Sequence, residues 1–310
     1  MKKMMIIAVL TVIAAACLCG CSVGFINGSS VKYDNADKYT AGDREITDKI
    51  DRLDIDWVSG KVTVSADSGS SVRVTETTEA DLDDKLKVHT WAEGSTLHVR
   101  FCKSGERYEL EEVKSLEITV PEDTVFKSID VDTSSADVFC DGITAENAVM
   151  DASSGNMMYN GDADSFKADT SSGGIGFSGS AEKISTNSSS GNVSITQTGS
   201  ADSISVDTSS GDMDIDCEYT KKLQADSSSG GKVIRLAQMP EETTLDSSSG
   251  DVELYLPEDA GFTAEISTSS GDVEYELPLE KSGEDTYVCA NGEAGLSIST
   301  SSGNVKIMKN

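Results

Sequence analysis

The sequence predicts an all-β fold: a single-stranded parallel β-helix, or β-solenoid, with coils of about 19 residues, preceded by an irregular N-terminal β section. Three observations predict it. A Ser-Ser-Gly type motif occurs nine times after residue 129, apolar and polar residues alternate on both sides of it, and the repeat has no helical periodicity. One repeat is too small to close a core alone, so successive coils must stack on each other.

The motif marks the corner of each coil. Its third position is Ala136 in the first copy and glycine afterwards, and successive third positions are 18 to 21 residues apart, except for a last interval of 32. We expect glycine to supply a backbone geometry that residues with a Cβ resist, and the serine hydroxyls to hydrogen-bond along the stack. The corner glycines are Gly155, Gly173, Gly191, Gly211, Gly230, Gly250, Gly271 and Gly303.

The residues two and four positions after the corner are predicted to point into the core. They are apolar in every copy except one, where Lys232 takes the second position. Residues 53–64 fit the same template and predict an imperfect first coil. Strand-like runs between that coil and residue 129 predict further strands that cap the stack or wrap its first coils.

The N-terminus has the features of a signal peptide. Lys2 and Lys3 precede an apolar run that is too short to span a membrane but has the length of a secretory hydrophobic region. The following residues Leu18, Cys19, Gly20 and Cys21 resemble a bacterial lipobox, which implies that Cys21 becomes the lipidated mature N-terminus. Cys17 is the alternative acceptor.

These features predict four segments. Residues 1–20 are a lipoprotein signal peptide, residues 21–45 a flexible tether, residues 46–128 the N-terminal β section or cap, and residues 129–310 the repeat solenoid. The expected location is the extracytoplasmic face of the cell membrane, with the lipid bilayer as a partner through acylated Cys21.

Charge and composition exclude several classes of function. The chain has 25 basic and 54 acidic residues, a net charge of −29, which repels nucleic acids. Enzymatic activity is not expected, because the solenoid contains one arginine, Arg235, no histidine, and no localised acid and base cluster. A carbohydrate-active β-helix enzyme is the alternative, and residues 278–295 are where its site would lie.

Aspartates recur four residues before the third corner position. If the coils stack in register, neighbouring carboxylates lie about 5 Å apart and repel each other. Calcium bridging is one interpretation. The other is that each Asp or Asn accepts backbone N–H groups of its own turn and otherwise faces water, so that the protein needs no cofactor. The candidate metal ligands are Asp132, Asp151, Asp169, Asp207, Asp226 and Asp246.

Four cysteines remain after the lipobox: Cys102, Cys140, Cys217 and Cys289. An extracytoplasmic address permits disulfides, but their different phases in the repeat favour buried free thiols.

Aromatic residues of the N-terminal section have two interpretations. Trp57, Trp91, Tyr39 and His89 either stack on sugars or, as is more common for isolated tryptophans, pack in the core.

The order of motifs resembles a known bacterial family. Tyr39 to Asp43 form a lead-in, Ile55 to Gly60 a first corner and Val120-Pro121 a strand end, followed by serial corners of the type TSSGDV. Over residues 39–310 this pattern is similar to a family of candidate adhesins whose domain has no assigned function. The resemblance implies a β-solenoid on an exported cell-surface protein.

The expected function is therefore that of a non-enzymatic binding or scaffold module, an adhesin or envelope-associated protein. Identical polar groups repeated on every coil suit weak multivalent contacts with polymers of the cell envelope or of a host. The alternative is an acidic envelope-stress or defence protein that captures cationic peptides or metal ions.

Overall fold

The computed structural model describes residues 30–107 and 113–310, and these form the expected β-solenoid. Strands account for 62% of the described residues and helices for 1%, which confirms the all-β prediction. Among the described residues, the one helical turn is a 3-10 helix at Ala36–Lys38. The lipobox and the predicted signal peptide lie outside the described residues.

Eight strands precede the regular repeat. They are β1 (Thr40–Ala41), β2 (Arg44–Ile46), β3 (Arg52–Trp57), β4 (Lys61–Asp67), β5 (Val72–Thr77), β6 (His89–Glu93), β7 (Thr96–Arg100) and β8 (Ser115–Pro121).

Sixteen strands follow. The first eight are β9 (Val125–Thr133), β10 (Asp137–Ala152), β11 (Met157–Thr170), β12 (Ile175–Gly179), β13 (Ala181–Ser188), β14 (Val193–Thr208), β15 (Met213–Ser227) and β16 (Lys232–Leu236). The last eight are β17 (Glu242–Ser247), β18 (Val252–Leu256), β19 (Phe262–Thr268), β20 (Val273–Tyr275), β21 (Leu279–Lys281), β22 (Thr286–Cys289), β23 (Ala294–Thr300) and β24 (Val305–Lys309).

Each coil consists of two segments that meet at the Ser-Ser-Gly corner. Segments that run into the corner pair in parallel from coil to coil and form sheet A, and segments that leave it form sheet B in the same way. Long strands belong to both sheets: β10 pairs Val138 with Met157 of β11 in sheet B, and Met150 with Ala168 in sheet A. The stacking direction is therefore the hydrogen-bonding direction, and coils follow each other at about 4.8 Å.

The strand order of the two sheets follows from these pairings. Sheet A contains, in order, β7, β3, β9, the ends of β10 and β11, β13, the ends of β14 and β15, β17, β23 and β19. Sheet B contains β8, β4, the starts of β10 and β11, β12, the starts of β14 and β15, β16, β18, β24 and β20.

Glycine is required at the corners by close approach of the backbones. A Cβ on Gly191 would lie 1.7 Å from the carbonyl oxygen of Gly173, and a Cβ on Gly211 would lie 1.9 Å from that of Gly191. None of the eight corner glycines has a positive φ. The reason for glycine thus differs from the one expected from the sequence: the corner has ordinary backbone angles and no space for a side chain.

Backbone hydrogen bonds join successive corners; of the serine hydroxyls expected in this role, that of Ser135 donates to the carbonyl of Val58 in the adjoining coil at 3.2 Å. The N–H of Ser154 donates to the carbonyl of Ser134 at 3.0 Å, and the same bond recurs along the stack. The hydroxyl that shapes the turn belongs to the residue before the motif, since Ser188 Oγ accepts the N–H of Gly191 at 2.8 Å. A Thr or Ser at this position closes the turn on itself in most coils.

The core fills the space between the two sheets with the inward residues of every coil. Tyr159, Phe166 and Phe177 stack there with ring centroids 4.9 to 6.0 Å apart. The exception noted in the sequence, Lys232, also points inward and is 1% exposed. Its Nζ donates to Ser227 Oγ at 2.5 Å and to the Asp246 carbonyl at 2.6 Å, and burial lowers its pKa to about 8.

The order of coils in space differs from their order in the chain at both ends. The coil of β3 and β4 lies between the later segments β7 with β8 and β9 with β10. At the other end, the coil of β23 and β24 is inserted between β17 with β18 and β19 with β20. Gly303 therefore lies against Gly250, and Gly271 lies against Gly303. The sequence predicts simple succession, so this insertion is a correction.

Part of the segment assigned to the tether lies on the domain. Tyr33 Oη donates to the carbonyl of Cys102 at 2.9 Å, and β1 pairs with β6 while β2 pairs with β5. Ser30 pairs with Arg107 and the Val31 carbonyl accepts the N–H of Gly105 at 2.7 Å, so the chain is attached to the N-terminal section from Ser30 onward.

Cys102, Cys140, Cys217 and Cys289 are buried and unpaired with each other, as the sequence favours. Burial raises the pKa of Cys102 to about 11 and that of Cys140 to about 12, so both remain thiols.

Within the described ranges, the structure contains no helix long and apolar enough to span a membrane.

Replacing Gly191 with alanine will lower the free energy of unfolding by about 2 to 3 kcal/mol, because the new methyl group overlaps the carbonyl of Gly173 and forces two coils apart. Gly231→Ala is the matched control, since a Cβ there meets its nearest atom at 3.6 Å. Urea unfolding measures both. Equal effects of the two substitutions would contradict the account of the corner.

Candidate functional site

A column of carboxylates runs along the outer surface of sheet A. Parallel register places each aspartate of the position four before the corner next to its equivalent in the adjoining coil. We call this column the aspartate ladder; it comprises Asp56, Asp132, Asp151, Asp169, Asn187, Asp207, Asp226 and Asp246. All six predicted candidate ligands are in it.

The residues that continue the column beyond the two ends of the ladder are polar but differ in charge. Beyond Asp56 the next residue in the column is Arg100, and beyond Asp246 the column continues as Ser299 and Ser267. Asp56 was missed in the list of candidates, although counting four residues back from Gly60 in the imperfect first coil leads to it.

A groove follows the ladder beside the corners. It has a volume of about 700 Å³ and is open along its length. Its walls are the ladder residues of six successive coils, the Thr, Ser or Ala that follows each of them, and the first corner serine of all but the first of these coils. The ladder residues in the groove are Asp132, Asp151, Asp169, Asn187, Asp207 and Asp226.

Crowding makes several of these carboxyls harder to ionise. Burial raises the pKa of Asp132, and the neighbouring carboxylates Asp56 and Asp130 raise it further. The pKa values of Asp151 and Asp207 are raised in the same way, by burial first and then by the next aspartate along the ladder. The groove is therefore a surface on which negative charge is costly.

Two groups relieve this repulsion from within the protein. Asn187 takes the place of an aspartate and donates through Nδ2 to Asp169 Oδ1 at 2.6 Å, and Lys167 Nζ lies 2.5 Å from Asp169 Oδ2. At the far end, Lys232 reaches the groove wall from inside through its bond to Ser227. The groove thus ends above a buried cation.

The second polar column, one residue after the corner, has a structural role. Asp212 accepts the N–H of Gly231 through Oδ1 at 2.9 Å, and Asn192 accepts the N–H of Asp212 at 2.9 Å. Each side chain therefore binds the backbone of the next coil. The backbone-acceptor interpretation, which the sequence offers for the aspartates before the corner, describes this other column, although the bonds reach the next coil rather than the residue's own turn.

No three His, Cys, Asp or Glu side chains within residues 30–107 and 113–310 are grouped so that they could hold one metal ion. Ladder carboxylates follow one another in a line and do not converge on a point. Calcium bridging along the ladder remains a prediction.

An ion-pair cluster closes the N-terminal end of the ladder. Arg100 Nη2 lies 2.6 Å from Asp54 Oδ2, and His98 Nδ1 lies 2.5 Å from the same oxygen. Burial would raise the pKa of Asp54, but the bonds from His98 and Arg100 outweigh it and lower the pKa to about 2. Asp54 is thus ionised at any physiological pH.

The aromatic residues of the N-terminal section pack against the protein itself. Trp57 is fully buried and His89 nearly so. Trp91 stacks on the ring of His98 at 5.1 Å and carries Lys38 Nζ 4.5 Å from its ring centroid, while Tyr39 lies against Trp91 at 5.7 Å. These contacts hold the residues before β1 on the domain, in agreement with the packing interpretation.

A β-solenoid with a repetitive polar groove and no converging catalytic cluster among its described residues is the class of protein that this fold and this site define. The chain belongs to the Toastrack DUF4097 family, whose model matches residues 50–308. The family resemblance stated from the motifs is thereby confirmed. No curated protein matches the chain.

The chain is similar to several solved bacterial structures. A candidate lipid-binding protein of Parabacteroides distasonis has 17% identity and a TM-score of 0.50, with 87% of this chain and 97% of that chain covered. A candidate adhesin of the same species has 12% identity and a TM-score of 0.46, covering 88% and 97%. A candidate cell adhesion protein of Clostridium sporogenes has 12% identity and a TM-score of 0.25, covering 87% and 100%.

Replacing Asp151 with asparagine will raise the free energy of unfolding at pH 7 by about 0.5 kcal/mol, because it removes one of three neighbouring like charges. The raised pKa means that the folded chain binds this proton more readily than the unfolded chain does. Lowering the pH through that pKa therefore relieves the same repulsion in the parent, and the gain will be smaller at pH 4.

Urea unfolding at the two pH values measures the effect of Asp151→Asn. The control is Asp123→Asn, which removes one exposed charge away from the ladder. A gain that is the same at both pH values, or the same in the control, would contradict the electrostatic account.

Proposed function

We propose that this chain is a lipid-anchored, extracytoplasmic binding module that holds an extended polymer in the groove along the aspartate ladder, and that it is not an enzyme. The observation that carries this proposal is the continuity of the groove over six coils with nearly the same side chains on each. Five steps of about 4.8 Å give a contact length of about 24 Å. Several weak contacts repeated over that length give useful avidity.

The chemistry of the walls favours a hydroxyl-rich polymer. Carboxylates accept hydrogen bonds, and serine and threonine hydroxyls both donate and accept, which is the complement of a glycan. Polymers that carry phosphate are repelled, because residues 129–310 contain 9 basic and 32 acidic residues, a net charge of −23. Envelope or host glycans are thus the proposed ligands, and adhesion or envelope association is the proposed role.

The absence of catalysis is also inferred from the ladder. Two carboxylates that cleave a glycosidic bond must differ, one protonated as acid and one ionised as base or nucleophile, and different surroundings set that difference. In the groove each aspartate has nearly the same surroundings as the next. Identical neighbours suit binding of a repeated unit and do not single out one bond for attack.

A second candidate function is electrostatic capture of cationic peptides or metal ions. The observation that favours it is the raised pKa of Asp132, Asp151 and Asp207. Burial and mutual repulsion oppose ionisation of these carboxyls, and a bound cation would stabilise their charged forms. Salt separates the two functions. Capture by charge alone fades as the Debye length falls, whereas hydrogen-bonded polymer contacts persist.

The anchor places the domain close to the membrane. Because Ser30 pairs with Arg107 and Val31 accepts the N–H of Gly105, residues 22–29 separate the proposed lipidated Cys21 from the folded domain. Eight residues span at most about 29 Å. The N-terminal end of the rod is then the end nearer the bilayer, and the groove runs away from it.

Replacing Ser189 with tryptophan will abolish saturable binding to polymer, because Ser189 lines the middle of the groove and an indole would fill it. The protein is the mature chain with Cys21→Ser, and the probes are cell-wall fragments and mucin at low and high salt. Thr196→Trp, on the outer face of sheet B, is the control. Binding that the groove variant retains would overturn the groove as the site, and parent binding only at low salt would favour charge capture.

Replacing Cys21 with serine will move the protein from the membrane fraction to the soluble extracytoplasmic fraction, because the thioether to the lipid cannot form. Cys17→Ser is the matched control and will remain in the membrane fraction. Fractionation followed by detergent phase partition measures both. A membrane-bound Cys21 variant together with a released Cys17 variant would assign the lipid to Cys17.

A further inference from the structure

Three of the four sheet ends are covered by antiparallel strands of the described chain. At the N-terminal end, β6 and β1 extend sheet A, and β5 and β2 extend sheet B. At the C-terminal end, β22 and β21 extend sheet A. Sheet B ends there at β20, for which β24 is the one strand partner among the described residues.

The open edge of β20 has backbone groups directed outward. Val305 N–H donates to the carbonyl of Asp272, and Glu276 N–H donates to the carbonyl of Ile307, both at 2.9 Å. Successive residues of a strand direct their backbone groups to opposite sides, so Val273 and Tyr275 present N–H and C=O to the free side. The edge is short, but it is complete over those two residues.

The column of side-chain acceptors one residue after the corner also ends at β20, with no further coil in the described part of the chain for its last member to bind. Asp251 Oδ1 accepts the N–H of Asn304 at 2.7 Å, and Asn304 Oδ1 accepts the N–H of Asp272 at 3.0 Å. The carboxylate of Asp272 is the next acceptor in this series, and it is exposed. A further strand would find the acceptor for its first N–H already in position.

The core is incompletely covered at this edge, where the ring of Tyr287 lies 6.0 Å from that of Tyr275. In the two preceding coils the inward residues are fully buried, for example Val305 and Ile307. The equivalent residues on β20 are Val273, which is half-buried, and Tyr275, which is 44% exposed. One more strand with apolar residues at alternate positions would bury both.

We propose that β20 binds an extended strand of a partner protein, apolar at alternate positions and basic between them. The strand would extend sheet B by backbone pairing, with its apolar side chains over Val273 and Tyr275. Its basic side chains would face Asp272, Glu274 and Glu276, which make this edge acidic. The same acidic residues argue against a second copy, because pairing two such edges would oppose like charges.

This site is separate from the groove. The groove lies on the outer face of sheet A and ends at Ser228, whereas the edge is the last strand of sheet B. A failure of one proposal therefore leaves the other standing. With the N-terminus near the bilayer, the edge is at the far end of the rod.

The test uses the mature chain with Cys21→Ser and a labelled nine-residue peptide of alternating lysine and valine, followed by fluorescence anisotropy. A second version of the peptide is methylated on the alternate backbone nitrogens that would face β20. It keeps every charge and side chain but cannot donate hydrogen bonds to the edge. We expect it to bind at least tenfold more weakly than the parent peptide. Equal binding of the two peptides would overturn strand addition and leave attraction by charge alone.

A protein variant tests the same edge from the other side. Val273→Pro removes an N–H that points away from β24, so the fold can accept it, and we expect loss of peptide binding with an unchanged melting temperature. Thr196→Trp, on the outer face of sheet B in β14, is the control and will bind the peptide as the parent does. A folded Val273→Pro chain that binds with parental affinity would overturn the proposal. If that variant does not fold, the methylated peptide still decides the question.

Discussion

The backbone of one corner lies against the backbone of the next with no room for a side chain between them. The carbonyl of Gly173 occupies the position where a Cβ of Gly191 would be, and the same contact recurs from coil to coil. This contact sets the spacing at the corner to that of hydrogen-bonded strands and keeps both sheets in register on either side of it. The side chains outside the corner then repeat at the same spacing, whether the contacts between equivalent side chains are favourable or not.

The outer surface shows both consequences. One residue after the corner, repetition is favourable, since each Asn or Asp oxygen accepts the N–H of the coil beyond it. Four residues before the corner, repetition brings carboxylates together and raises the pKa of Asp132 and Asp151. The protein keeps this unfavourable ladder over most of its length, and relieves it locally with Asn187 and Lys167. A costly arrangement that is maintained coil after coil is consistent with a role in binding.

Much of the repeat architecture could be predicted from the sequence, because each coil corresponds to one sequence repeat. The period, the inward columns, the ladder and the unusual position of Lys232 all follow from counting residues from the corner. The reason for glycine could not be predicted, since it depends on the neighbouring coil rather than on the residue's own backbone angles. The insertion of β23 and β24 could not be predicted either. Ser301-Ser302-Gly303 looks like any other corner, and the sequence of one repeat does not say which other repeat it will stack against. The attachment of Tyr33 depends on long-range contacts that have no period.

The inserted C-terminal coil also constrains the order of assembly. During synthesis the strands β19 and β20 emerge before β23 and β24, yet in the finished molecule they pair with those later strands rather than with β17 and β18. A nascent chain that paired each coil with the preceding one would have to open that pairing before its last seventeen residues could enter. The final step of folding thus has high contact order and is expected to be slow, whereas the middle of the rod can zip together coil by coil. The C-terminal residues therefore enter last and lie between two coils that were made before them. Truncation there would leave the β17–β18 coil and the β19–β20 coil free to pair directly with each other.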